Sequence, residues 1–287
     1  MSVEPPINAL TIDWEDWYQG LEIPNTQWDG YEDRLGFATH RLLELFAASG
    51  ARATFFVLGH AAEQHPDLVR AIAAAGHEIA THGHSHTFVY RLTPDEFRAE
   101  MTRSIRFLED LTGRPVRGFR APFFSITRQS LWALDILAEL GIRYDSSIFP
   151  VLNYRYGIED APRWPHAIRS NGHEITEFPI STWRIGGRNL PIAGGAYFRI
   201  YPYAFTRLAF RTLNRGGRTL TFYLHPWEID PEHPRIPLAR RIAATHYVNL
   251  KSTEPKLRRL LREFRFAPMG ELIDRVPTTV SADESRR

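Results

Sequence analysis

Cysteine is missing from all 287 residues, which excludes a disulfide scaffold and any thiolate site. Lysine is nearly missing too: it occurs only at Lys251 and Lys256, and arginine carries the rest of the basic charge. The formal net charge is only +2 and the arginines are spread along the chain, so nothing argues for nucleic acid as a partner. No apolar run approaches the ~18 residues that cross a bilayer. Met1 to Ala9 lacks the basic stretch and apolar run of a secretory signal. The expectation is a soluble, cytoplasmic chain. Internal repeats and an interdomain linker are also lacking. That points to one domain over residues 1–276, with the polar stretch 277–287 as a disordered tail.

What is present alternates. Asn8 to Asp13 reads as a strand and Gly36 to Ser49 as an amphipathic helix stopped by Gly50. Ala53 to Leu58 is a continuous apolar run, as expected of a strand covered on both faces. A helix runs from about Ala61 to Ala75, with Pro66 breaking it or opening its second part, and a short strand follows Gly76. Thr93-Pro94-Asp95-Glu96 is a capping box that opens a helix to about Leu111. Val116 to Phe119 and Ile142 to Tyr144 read as strands around a helix from Thr127 to Leu140. Such alternation implies parallel strands with right-handed crossovers, in a barrel or a doubly wound sheet. No glycine-rich phosphate loop follows the first strand, which disfavours nucleotide binding. Residues 150–200 are irregular; Glu174 to Ile180 reads as a strand, and Ile192 to Phe198 as a loop near the barrel mouth. Tyr203 to Asn214 is a helix, and Thr219 to Leu224 is a strand that ends in His225-Pro226-Trp227-Glu228.

Polar groups gather where these strands end, which favours a barrel mouth. Asp13, Glu15 and Asp16 follow the first strand. His82, His84 and His86 follow the third, with His82 and His86 spaced to face one way in a helical turn or tight loop. Arg120 precedes Pro122, and His225 ends the late strand. A lone HxxxH is more often a surface turn than a metal site; the carboxylates at another strand end tip the balance here. A carboxylate with two imidazoles leaves positions open on a divalent metal, as a catalytic site requires. Such a metal would polarise a carbonyl and activate water. A second carboxylate would take the water's proton and a histidine would protonate the leaving group.

Five stretches in this order carry a resemblance to the NodB-homology polysaccharide deacetylases, carbohydrate esterase family four. They are Thr11-Ile12-Asp13-Trp14-Glu15-Asp16, His82-Gly83-His84-Ser85-His86, Arg120-Ala121-Pro122, Tyr144-Asp145-Ser146-Ser147 and Leu224-His225-Pro226. The resemblance implies a distorted (β/α)7-type barrel and removal of N-acetyl groups from sugars of a polysaccharide or lipid-linked oligosaccharide. It implies Asp13 as the base, Arg120 as the group holding it, His225 as the acid, and His82 and His86 as metal ligands. The third ligand is Asp16 or Glu15, with Asp16 preferred. Zinc is the expected ion, with cobalt or nickel able to replace it. His84 is expected outside the ligand set, and Gly83 stands where the family carries a hydroxyl. Phe123, Tyr197 and Trp227 are the aromatics expected to meet substrate. The motif variants also resemble a subgroup found with exopolysaccharide clusters, which implies a C-terminal extension from about Ala161 and peripheral contact with a membrane-linked glycan. Two rival readings are a hydrolase of a small cyclic amide such as allantoin on the same scaffold, and a non-catalytic glycan-binding module.

Overall fold

The computed structural model describes residues 6–153 and 155–276; the expected disordered tail lies outside them. The first half alternates as its sequence pattern predicts. Strand β1 (Asn8–Trp14) is followed by α1 (Leu35–Ser49), β2 (Thr54–Val57), α2 (Gly59–Gln64), α3 (Pro66–Ala74), β3 (Glu78–Thr81), α4 (Pro94–Thr112), β4 (Gly118–Phe119), α5 (Trp132–Glu139) and β5 (Tyr144–Asp145). Pro66 opens α3 rather than kinking one long helix, because it needs no donor in a first turn. Thr93 and Glu96 close the capping box of α4, and Gly113 ends that helix in the left-handed region. Helix α5 starts later than its sequence suggests. Ser130 takes the Thr127 N–H on its side chain, a local bond that competes with the helix over 127–130.

The second half departs more. Two hairpins were not foreseen: β6 (His166–Ser170) with β7 (His173–Glu177), and β8 (Thr182–Ile185) with β9 (Arg188–Pro191). The Gly194-Gly195 segment is not a loop but leads into α6 (Gly195–Ile200), followed by α7 (Tyr203–Arg215) and β10 (Thr221–Leu224). Helices α8 (Arg240–Tyr247) and α9 (Thr253–Glu263) precede β11 (Phe266–Ala267).

The main sheet runs β10-β1-β2-β3-β4-β5-β7-β6, with β11 added against β1. Every pair from β10 to β7 is parallel, and β6 alone is antiparallel to its neighbour. The sheet curls into an open barrel of the (β/α)7 type. Between β7 and β10 the chain itself fills the gap: Thr221 N–H donates to Ser181 Oγ at 2.8 Å, and Gly194 bridges to Tyr223. Only glycine fits at 194, where a Cβ would lie 2.0 Å from the Tyr223 carbonyl oxygen and φ is +103°. β1 is buried along its whole length and registers against β10 on one side and β2 on the other. Parallel strands put all their C-terminal ends at one rim, which brings Asp13, His82, Arg120 and His225 to one mouth.

Candidate active site and metal centre

The loop after β3 turns at Gly83, whose φ of +76° is costly for any residue with a Cβ. Gly83 N–H donates to Thr81 Oγ1, and Ser104 Oγ donates to the Gly83 carbonyl, so α4 pins the turn. His86 also sits in the left-handed region, at φ +57°. In this tight loop His82 and His86 converge, with ring centroids 5.3 Å apart. His82 Nδ1 bonds the Arg120 carbonyl at 2.8 Å, which turns Nε2 toward the cluster. Burial above all holds His82 down at about 4, so it is the neutral imidazole that a metal binds.

Glu15 completes the group. Its Oε2 lies 2.5 Å from His86 Nε2 and 3.8 Å from His82 Nε2. The three ligand atoms lie within 4.8 Å of one another, and all three residues are buried. Glu15 Oε2 is buried, and beyond its close approach to His86 Nε2 it makes no hydrogen bond. A buried anionic oxygen is costly without compensation, and a divalent cation held by one carboxylate and two imidazoles supplies it. The residues therefore fit a metal. Burial works to raise the Glu15 carboxyl, but His86, His225 and His82 outweigh it and bring it to about 2.

Asp16, the ligand preferred from sequence, does not join the cluster. Its Oδ2 accepts the N–H groups of Arg34 (2.7 Å) and Leu35 (3.1 Å), and its Oδ1 accepts that of Trp17. Arg34 and Leu35 begin α1, so Asp16 satisfies open donors at a helix start, where negative charge is favoured. Burial nevertheless raises its carboxyl to about 6, against those bonds. Glu15 is the ligand candidate that the geometry supports. His84 is also outside the group, 3.9 Å from Glu63.

Beside the cluster stands a buried ion pair. Arg120 Nη1 donates to Asp13 Oδ1 at 2.5 Å and to Thr11 Oγ1 at 2.8 Å. Its other nitrogens bond the Ser146 carbonyl and hydroxyl, and its guanidinium lies over the Phe56 ring at 4.3 Å. Four of its five N–H donors are occupied, which fixes the guanidinium and holds Asp13 in place. Asp145 does not reach the site. It accepts from Ser147 N–H and Oγ, and Ser147 Oγ accepts the Ala121 N–H, bracing the loop behind Arg120.

His225 faces the pair from β10. Its Nε2 lies 3.9 Å from Asp13 Oδ2 and 3.7 Å from Glu15 Oε1. Nδ1 donates to Glu228 Oε1 at 2.8 Å, and Glu228 Oε2 takes a bond from Arg199 Nε at 2.7 Å. Burial opposes charge on this imidazole, but Glu228, Glu15 and Asp13 raise it to about 9. Glu228 and Arg199 did not stand out in the sequence. Glu228, three residues past His225 at a turn start, was the one signal available; nothing marked Arg199, which comes from α6.

These groups share a cavity of about 220 Å³. Phe123 and Trp227 are in its lining. Phe123 packs edge-on against His86 and holds φ +55°, a strained conformation of the kind that gathers at functional sites. Tyr197 is not in the lining: it packs behind it, against the cluster of Phe124 and Tyr223.

Fold and site together define an open α/β barrel with a candidate catalytic metal centre at its mouth. The polysaccharide deacetylase family model matches residues 29–144, and a second model, a domain of unknown function (DUF3473), matches residues 146–274. The chain is 32% identical over 108 residues to a peptidoglycan deacetylase of Helicobacter pylori, covering 38% of this chain and 36% of that protein. It is 33% identical over 119 residues to a peptidoglycan-N-acetylglucosamine deacetylase of Bacillus cereus, covering 41% and 42%. The chain thus spans less than half the length of these curated relatives. A solved structure from Mycobacterium smegmatis, named for polysaccharide deacetylases, superposes with a TM-score of 0.65 at 20% identity, over 98% of this chain and 99% of that one; this likeness concerns the fold. Residues 29–144 of this chain are thus similar to polysaccharide deacetylases. The matched segment contains His82, His86 and Arg120, but Asp13, Glu15 and His225 lie outside it and join the cluster through the fold.

Proposed function

We propose that the protein is a metal-dependent carbohydrate N-deacetylase, hydrolysing the acetamide of an N-acetylated sugar in a glycan. The observation that carries this reading is the meeting, in one cavity, of Glu15, His82 and His86 with an arginine-held Asp13 and a glutamate-held His225. A divalent ion held by Glu15, His82 and His86 supplies Lewis acidity to the carbonyl and lowers the pKa of water. Asp13, oriented by Arg120, accepts the proton of the attacking water. His225, oriented by Glu228, gives a proton to the departing nitrogen. One C–O bond forms, the amide C–N bond breaks, and acetate and a free amine leave. A non-catalytic binding module needs neither the Asp13–Arg120 pair nor the acid and its support.

Zinc as the ion, exopolysaccharide assembly, residues from about Ala161 as a C-terminal extension, and a membrane-linked glycan met on the cytoplasmic side belong to this proposal. Among the described residues no helix is long and apolar enough to cross a membrane. The test is acetate release from N-acetylglucosamine oligomers, with loss on chelation and return with zinc. Full activity in thoroughly metal-free protein rejects the reading.

A further inference from the structure

Next to His225 the cavity has a further wall, whose Trp227 ring stacks on the His225 imidazole at 5.1 Å. Trp227, just past β10, and His246, in the last turn of α8, both line it. Their rings stack at 4.2 Å with 29° between planes. Each carries a buried ring nitrogen without a hydrogen-bond partner, Trp227 Nε1 and His246 Nε2. A third such atom, His233 Nε2, stands behind them, its ring 5.2 Å from His246 and 5.9 Å from Trp227. Buried polar atoms in folded proteins nearly always have partners, so the two in residues that line the cavity, Trp227 and His246, call for a polar partner.

The wall is also fixed in place. Arg199, fully buried, donates to the carbonyls of Thr245, His246 and Val248 at the end of α8, and its Nε holds Glu228. One guanidinium therefore sets α8 relative to the acid. Burial, with His233 and Arg199 nearby, keeps His246 neutral, at about 3. A neutral imidazole donates from one nitrogen and accepts at the other, as a sugar hydroxyl both donates and accepts. Ile242, one turn earlier on α8, adds an apolar surface to the same lining. The cavity, about 220 Å³, has room for a sugar ring with its acetamide.

We propose that Trp227, His246 and His233 form the recognition wall for a single sugar ring, with His246 bonding a ring hydroxyl and setting which sugar is accepted. This assigns to the region that matches a domain of unknown function the task of selecting the substrate, and it rests on the glycan reading above.

Zinc-loaded full-length protein is titrated by calorimetry with the N-acetylglucosamine tetramer, and acetate release is followed in parallel. His246→Phe is expected to weaken binding about tenfold and to raise KM in step, the effect of one lost hydrogen bond, with kcat within about twofold. His246→Gln, which restores a donor and an acceptor, is expected to recover most of that loss. If both variants keep the wild-type thermal midpoint and bind as the wild type does, the ring nitrogens serve ordered water and the proposal is overturned. Failure of the wild type to bind the tetramer overturns it too. Should His246→Phe not fold, His246→Ala with added imidazole decides, since imidazole must restore binding if the wall is real. Binding that His246→Phe weakens, without acetate release from the wild type, leaves the wall standing and sinks the hydrolase reading alone.

Discussion

The two halves of the chain build one cavity by different means. Residues 8–145 alternate strand and helix, and they place Asp13, Glu15, His82, His86 and Arg120 at the ends of β1, β3 and β4. Residues 146–274 are hairpins, short helices and turns, yet they supply His225, its support Glu228 and Arg199, and the Trp227–His246 wall. Regular crossovers fix strand ends to one rim whatever the side chains are. In the second half β10 delivers His225 to the same rim, and the groups around it are positioned by buried ion pairs and carbonyl bonds instead. Arg199 has the same job there that Arg120 has in the barrel: each is fully buried, and each holds one carboxylate of the site.

Changes to the barrel half should abolish chemistry, and changes to the second half should graduate it. Asp13→Asn is expected to lower kcat by about 10²–10⁴, the range of a lost general base, with metal content unchanged by elemental analysis. Near-normal kcat in that variant removes Asp13 from the reaction. Glu15 and Asp16 form the sharpest pair. Glu15→Gln should cost more zinc affinity than the roughly 10–100-fold typical of losing an outer-shell partner. Asp16→Asn should keep zinc and instead lower the thermal midpoint, by loosening the start of α1. The reverse pattern in zinc titrations would restore the ligand preferred from sequence.

Glu228→Gln probes the second half. It removes the orienting carboxylate and leaves Arg199 with one charge unanswered, so kcat should fall about 10–100-fold while zinc affinity holds. Equal loss of zinc and kcat would mean that the two halves are not separable. A smaller effect concerns His77, buried against Phe46 and Phe55 far from the mouth. Burial, with Arg52 nearby, lowers it to about 4. The unfolded chain then binds this proton more readily, so stability falls as pH drops from about 6.5 toward 4 and levels off below. His77→Gln should flatten that part of the stability profile in urea titrations. Smallest of all, Thr93→Ala removes the cap of α4 and should shift the thermal midpoint by roughly 2 °C, with activity untouched.

Much of the barrel could be read directly. Pro66, Gly50, Gly113 and the Thr93–Glu96 box end or begin helices for local reasons, and the structure has them there. The hairpins over 166–191 carry two-residue turn signals, Asn171-Gly172 and Gly186-Gly187, all four residues at positive φ; of their strands only β7 was read from the sequence, and the pairing passed unread. At the site, the spacing of His82 and His86 pointed one way without the fold. Tyr197 misled because an aromatic near a mouth can equally well pack behind it. Arg199 carried no local pattern at all, since its partners are 29 to 49 positions away.

The sequence by itself settled what repeats along the chain: alternating elements, their caps, and donors at strand ends, because each depends on neighbours within a turn or a strand. Tertiary structure alone put Glu15 rather than Asp16 beside the two imidazoles, because the start of α1 claims Asp16. It also gave His225 its glutamate and arginine, and set the wall at His246. Those outcomes turn on which buried charge finds a partner first in three dimensions, and that contest leaves no trace in the order of residues.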